Sequence, residues 1–274
     1  MDDEVTENDE VVLLPPVSGG DQPAVSLSAV DLKGFIPAAL GVVAILANTQ
    51  GQEIWAAALV LIAAAWAVDV ESAFAARGKD FATLAVVVTA AGSAMAAHAA
   101  GGDGYALAVI LAVVVGLGWA VAFPRYRRPD VFSPTVLVAL LAGLGTASLV
   151  LARSTQSPDP SAVDVFLVSV VAALMLGTIV ERVPPIPMLD AFSVTALGAV
   201  LAAVVAAWIW DLSIVSYLLV GLGIAVALLA GRGLSSMLRT GRVSLTERPP
   251  GVLVCMDGVA LAAAIYYPLL LLVL

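Results

Sequence analysis

Nine apolar stretches of roughly 16–22 residues follow one another along this chain, parted by short polar segments. A helix rises about 1.5 Å per residue, so each stretch is close to the length that crosses a hydrocarbon core. Lipid offers no hydrogen bonds to a bare backbone, so such a run crosses as a helix or not at all. The short in–out alternation of a membrane β-barrel is missing. The expected fold is therefore all-α, a polytopic bundle of nine transmembrane helices. They are placed at about 32–48, 54–70, 81–99, 104–123, 131–152, 164–183, 191–210, 212–231 and 252–274. A mean hydropathy of +1.05 excludes an ordinary soluble domain.

An acidic residue stands near the start of each run: Asp31, Glu53, Asp80, Asp103, Asp130, Asp164, Asp190, Asp211 and Asp257. The first N–H groups of a helix lack internal partners, and a carboxylate at the N-cap accepts one of them. The expectation is nine acidic N-caps. The device is most complete in Asp130-Val131-Phe132-Ser133-Pro134-Thr135-Val136-Leu137, which returns as Asp190-Ala191-Phe192-Ser193-Val194-Thr195-Ala196-Leu197. A second likeness joins Gly116-Leu117-Gly118 to Gly221-Leu222-Gly223, in helices 4 and 8. The offsets of the two pairs differ, so helical hairpins of similar build explain them as well as duplication does. The glycines read as sites of close helix approach.

Charge placement predicts orientation. Lys33, Arg77, Lys79, Arg125, Arg127, Arg128, Arg182, Arg232, Arg239, Arg242 and Arg248 fall on one side of the nine-span reading, and Arg153 alone on the other. Basic residues mark cytoplasmic loops. The N-terminus is therefore expected inside, the C-terminus outside, and the location is the cell membrane. Trp55, Trp208 and Trp210 near outer helix ends, with Trp66 and Trp119 near inner ends, read as interfacial rings.

Residues 1–30 carry seven acids and no base within a total net charge of −9. With Pro15-Pro16 and Gly19-Gly20 they read as a disordered cytoplasmic tail, and residues 31–274 as the membrane domain. Val11-Val12-Leu13-Leu14 is the candidate sticky segment for a protein partner in a membrane complex. Scarce lysine beside this acidity suggests a salt-adapted prokaryote. Nothing in the pattern points to nucleic acid.

Chemistry-bearing residues are few. One cysteine and one histidine, Cys255 and His98, do not make a zinc or haem site, and no cofactor is expected. Asp257 has two readings: an intramembrane functional acid, or the cap of a ninth helix that begins near Gly258. The capping pattern elsewhere favours the second. Asp69 and Glu71, with Arg77 and Lys79 nearby, read as a solvated cluster. Arg125, Arg127, Arg128, Arg239 and Arg242 read first as topology anchors. As a second role they form a candidate shared site for an anionic lipid or a phosphorylated ligand.

Two function classes follow. The first is non-catalytic: transport, lipid binding or a subunit of a membrane complex. The acids sit at run ends, unlike the several within-span acids of ion-driven pumps. The second is enzymatic. Nine spans with Asp69, Glu71 and Asp80 after helix 2, and Glu181 and Asp190 after helix 6, loosely resemble the intramembrane polyprenyl transferases. That resemblance implies transfer of a prenyl or lipid-linked group, with Mg²⁺ held by carboxylates against a diphosphate. It covers span count and loop placement; the N-D-x-x-D-x-x-x-D spacing is absent from this chain.

Overall fold

The structure is a computed structural model that describes residues 36–155, 162–180, 191–243 and 249–273, all within the compact unit Lys33–Leu274. Among these residues there are nine α-helices and no strand. They are α1 (Ile36–Asn48), α2 (Gln52–Ala75), α3 (Thr83–Ala100), α4 (Gly102–Ala122), α5 (Pro129–Thr155), α6 (Ala162–Val180), α7 (Ala191–Ile209), α8 (Ile214–Thr240) and α9 (Val254–Val273). A short 3₁₀ turn, Pro124–Arg127, links α4 to α5. Seven helices are long and apolar enough to cross a membrane; α1 and the described part of α7 are shorter apolar helices.

α5 is the hub. It packs against α3, α4, α2 and α9, and 78% of its apolar window is buried, against 22% for α4 at the periphery. α6, α7, α8 and α9 form a second row in which each packs on the next, and α9 returns to α5. α1 bridges α2 and α6. Apolar surface alone drives little association between helices in lipid, so close backbone approach must do it. The clearest case is the α8–α9 crossing, where a Cβ on Gly231 would overlap the Cα of Gly258.

Contacts sort the helix ends into two groups. At one, called the basic end here, Lys79 pairs with Asp130 at 3.4 Å and Arg77 donates to the Leu238 carbonyl at 2.6 Å. At the far end, Arg153 reaches the carbonyls of Gln50 and Gly51, and Asn48 donates to Asp164 Oδ1 at 2.6 Å. Arg153 thus ties the α1–α2 turn to the last turn of α5.

The acidic N-caps need correction. Glu53, Asp103 and Asp130 lie inside the first turns of α2, α4 and α5, and the caps of α2 and α4 are Gly51 and Gly101. Asp80 precedes α3, whose cap is Ala82. Asp164 is the third residue of α6, and Asp257 the fourth of α9. Asp211 sits in a turn at φ +57°, and the cap of α8 is Ser213, whose hydroxyl accepts from Ser216 N–H at 3.4 Å. Asp31 and Asp190 lie outside the described residues, as do the tail, Lys33, Glu181, Arg182 and Arg248. Glu53, Asp103, Asp130, Asp164 and Asp257 do stand in first turns, where a carboxylate gains from the positive end of the helix dipole without being the cap.

Two further corrections concern burial. α8 runs through Thr240, nine residues beyond the expected 231, so Arg239 stands on an extension of that helix, but buried within the protein. Trp55 and Trp66 are interior side chains, 0% and 2% exposed, and not interfacial rings. Trp208 does face outward.

Candidate functional site

The most concentrated polar chemistry in the described residues is a buried cluster at the basic end. Arg239 of α8 has no exposed surface, and all five of its N–H groups are used. Nε donates to Asp257 Oδ2 at 2.7 Å, and Nη2 to Asp257 Oδ1 at 3.1 Å, a bidentate fork. Nη2 also reaches the Leu253 carbonyl at 3.4 Å. Nη1 donates to Asp69 Oδ2 at 2.6 Å and to the Pro250 carbonyl at 3.1 Å.

The carboxylates are equally occupied. Asp257 Oδ1 also accepts the Trp66 indole N–H at 2.6 Å. Asp69 accepts Val252 N–H at 2.8 Å on Oδ1 and Leu253 N–H at 3.1 Å on Oδ2. These backbone groups lead into α9. Asp257 is therefore not the cap of α9, and Asp69, reached across the bundle from α2, holds the two residues that precede that helix. Asp257, one turn further in, neutralises Arg239 instead. Two carboxylates face one guanidinium, and the N–H groups at the start of α9 supply the remaining positive potential.

Gly251 makes room for this. Its φ is +133°, and a Cβ there would collide with Arg239 Nη1 and lie 2.8 Å from Asp69 Oδ2. The backbone passes directly over the guanidinium because no side chain intervenes. The cluster ties α2, α8 and α9 together, and each of its ionic groups is engaged within the protein. That corrects the reading of Asp69 as solvated. Glu71 is the exposed member of that pair, accepting the Thr83 hydroxyl at 2.6 Å.

The five arginines proposed as one anion site divide. Arg239 is consumed as above. Arg127 closes the C-terminus of α4, donating to the Ala120 and Val121 carbonyls at 2.9 Å each. Arg128 pairs with Asp130 at 3.3 Å, Arg125 lies over the Tyr126 ring at 4.6 Å, and Arg242 is exposed. Nearby Arg77 also serves helix ends, donating to Ala73 and Leu238 carbonyls, and burial lowers its pKa from the ordinary value.

Beside the cluster lies a cavity of about 340 Å³ among α1, α2, α5, α6 and α9. Trp66 belongs to both. Toward the basic end the walls include Pro37, Thr178, Cys255 and Met256; toward the far end, Trp55, Leu149 and Phe166. Leu59, Ile62, Leu141, Val171 and Val259 line the length between. The volume is at the lower end of the roughly 300–1,000 Å³ usual for ligand pockets, and the walls are almost wholly hydrocarbon. Among the described residues, no group of three or more His, Cys, Asp or Glu is arranged to hold a metal ion.

The sequence reading misses the cluster because Arg239 reads there as a topology anchor at the membrane surface. The available signal was Trp66 and Asp69 at helical spacing in one run, with Asp257 inside another. Two acids at membrane depth need a cation, and a longer helix 8 supplies it. The cavity had no local signal, since its walls come from five separate helices. No family model, curated protein or solved structure matches this chain.

Proposed function

We propose that this chain is a non-catalytic multi-pass protein of the cell membrane that binds the hydrocarbon part of a lipid in the cavity between α1, α2, α5, α6 and α9. The observation that carries the reading is the cavity itself, apolar along its length and placed within helices suited to a bilayer. Such a wall selects hydrocarbon and offers little to a polar solute. We further propose nine crossings, with the N-terminus cytoplasmic and the C-terminus outside, on the strength of the basic residues gathered at one end. Exposed Arg125, Arg128 and Arg242 then lie at head-group level, where each attracts anionic lipid by about 1 kcal/mol.

The test is lipid retention by native mass spectrometry. Val259→Trp fills the middle of the cavity and is expected to lower retained lipid about tenfold, equivalent to roughly 1.4 kcal/mol. Unchanged retention by a folded variant overturns the assignment.

The transferase reading puts Mg²⁺ ligands at Asp69, Glu71 and Asp80. Against it stands Asp69, both of whose oxygens are taken by Arg239 and the start of α9. Mg²⁺-dependent prenyl transfer that is lost in Glu71→Gln would revive it.

A further inference from the structure

Among the described residues, the cavity is more deeply buried at one end than at the other. At the far end its inner walls are buried, with Trp55 0% exposed, Phe166 2% and Leu149 6%, while Ile45 on the α1 side is 41% exposed. Hydrogen bonds hold those inner walls. Trp55 Nε1 donates to the Leu149 carbonyl at 3.2 Å, Asn48 of α1 donates to Asp164 of α6, and the Tyr266 hydroxyl donates to the Ala162 carbonyl. Toward the basic end the pattern reverses: Pro37, Cys255 and Met256 are partly accessible and Thr178 is exposed. The side wall is also incomplete where α1 meets α6, since Val42 and Met175 line the cavity and are 54% and 57% exposed. In a membrane that seam faces lipid.

Resting on the lipid-binding reading above, we infer that the occupant is a single hydrocarbon chain of a lipid from the leaflet at the basic end. It enters sideways between α1 and α6 and lies with its methyl terminus against Trp55 and Phe166. Three observations fix this arrangement. The more buried end is apolar, so it accepts a chain terminus and not a head group, whose desolvation would be uncompensated there. The accessible end permits the head group to remain at the membrane surface. The volume of about 340 Å³ is at the lower end of ligand pockets, which suits one chain better than two.

Two tryptophans make the orientation measurable. Trp66 lines the cavity toward the basic end and Trp55 toward the far end, and both are shielded from surrounding lipid. Trp208, at 70% exposure, reports the bulk bilayer. The full chain, labelled with fluorotryptophan, is examined by fluorine NMR with a fatty acid bearing a nitroxide near its carboxyl or near its methyl end. Signals are assigned with single Trp→Phe variants, Trp208→Phe and Trp55→Phe among them, while the spectra that decide come from the unsubstituted chain. The methyl-end label is expected to broaden the Trp55 signal more than the Trp66 signal; the carboxyl-end label is expected to do the reverse. An inverted gradient, or equal loss with either label, overturns the orientation while leaving lipid binding intact. Loss of Trp208 alone, with both interior signals unchanged, overturns lipid binding in the cavity itself.

Discussion

Arg239 can donate five hydrogen bonds, and five acceptors from α2, α8's neighbour α9 and the segment before α9 receive them. An ion pair so buried contributes less than its Coulomb energy suggests, because both partners have left water. Removing one partner is another matter, since the other charge stays behind. Arg239→Met is expected to destabilise the protein by about 3–5 kcal/mol, read from unfolding in detergent. Arg239→Lys is not expected to rescue it, because an ammonium cannot reproduce the fork to Asp257 while also reaching Asp69. Arg239→Met combined with Asp257→Leu should recover part of the loss, a coupling that a double-mutant cycle measures. Equal destabilisation by the single and double variants would remove the pair from the account.

At the scale of the element, repeated glycines have unlike duties. Gly116 meets the Val136 side chain on α5, and Gly221 meets Ala203 on α7, so the first glycine of each G-L-G serves close packing. The second glycines diverge: a Cβ on Gly223 would strike Leu269, whereas one on Gly118 would meet nothing within 4 Å. Gly118→Ala is therefore expected to be neutral or stabilising, by up to about 1 kcal/mol. Gly231→Ala, at the α8–α9 crossing, forces two backbones apart and is expected to cost about 1–3 kcal/mol. Thermal unfolding of the two variants side by side checks both. The device that opens α5 also works differently from the expected cap. Its Thr135 hydroxyl accepts from Ala82 N–H at 3.5 Å, serving the start of α3, while Asp130 joins Lys79 and Arg128.

For the whole molecule, the prediction is orientation. A reporter fused after Leu274 should behave as external, and one inserted beside Arg242 as cytoplasmic; a cytoplasmic C-terminus removes the nine-crossing reading. The helix at issue is α1. Its thirteen described residues rise about 20 Å of the roughly 30 Å of a hydrocarbon core, and the residues before Ile36 lie outside the described ones. It contacts α2 and α6, and it forms part of the cavity's wall.

What the sequence determined by itself was the class of fold, the existence of each helix and the gathering of basic residues at one end. Those properties are local: hydrophobic length, first-turn acids and loop charge act within a few residues of where they are written. Only the tertiary structure decided that Asp69 holds the segment leading into α9, that Asp257 and Arg239 neutralise each other out of contact with solvent, and that Trp55 and Trp66 face inward. The cavity was decided there as well. The physical reason is shared by all of these. Each depends on which helices become neighbours, and in a chain rich in Ala, Val, Leu and Gly many pairings bury apolar surface equally well. The choice among them rests on small-residue contacts and one buried charge cluster whose partners are far apart along the chain.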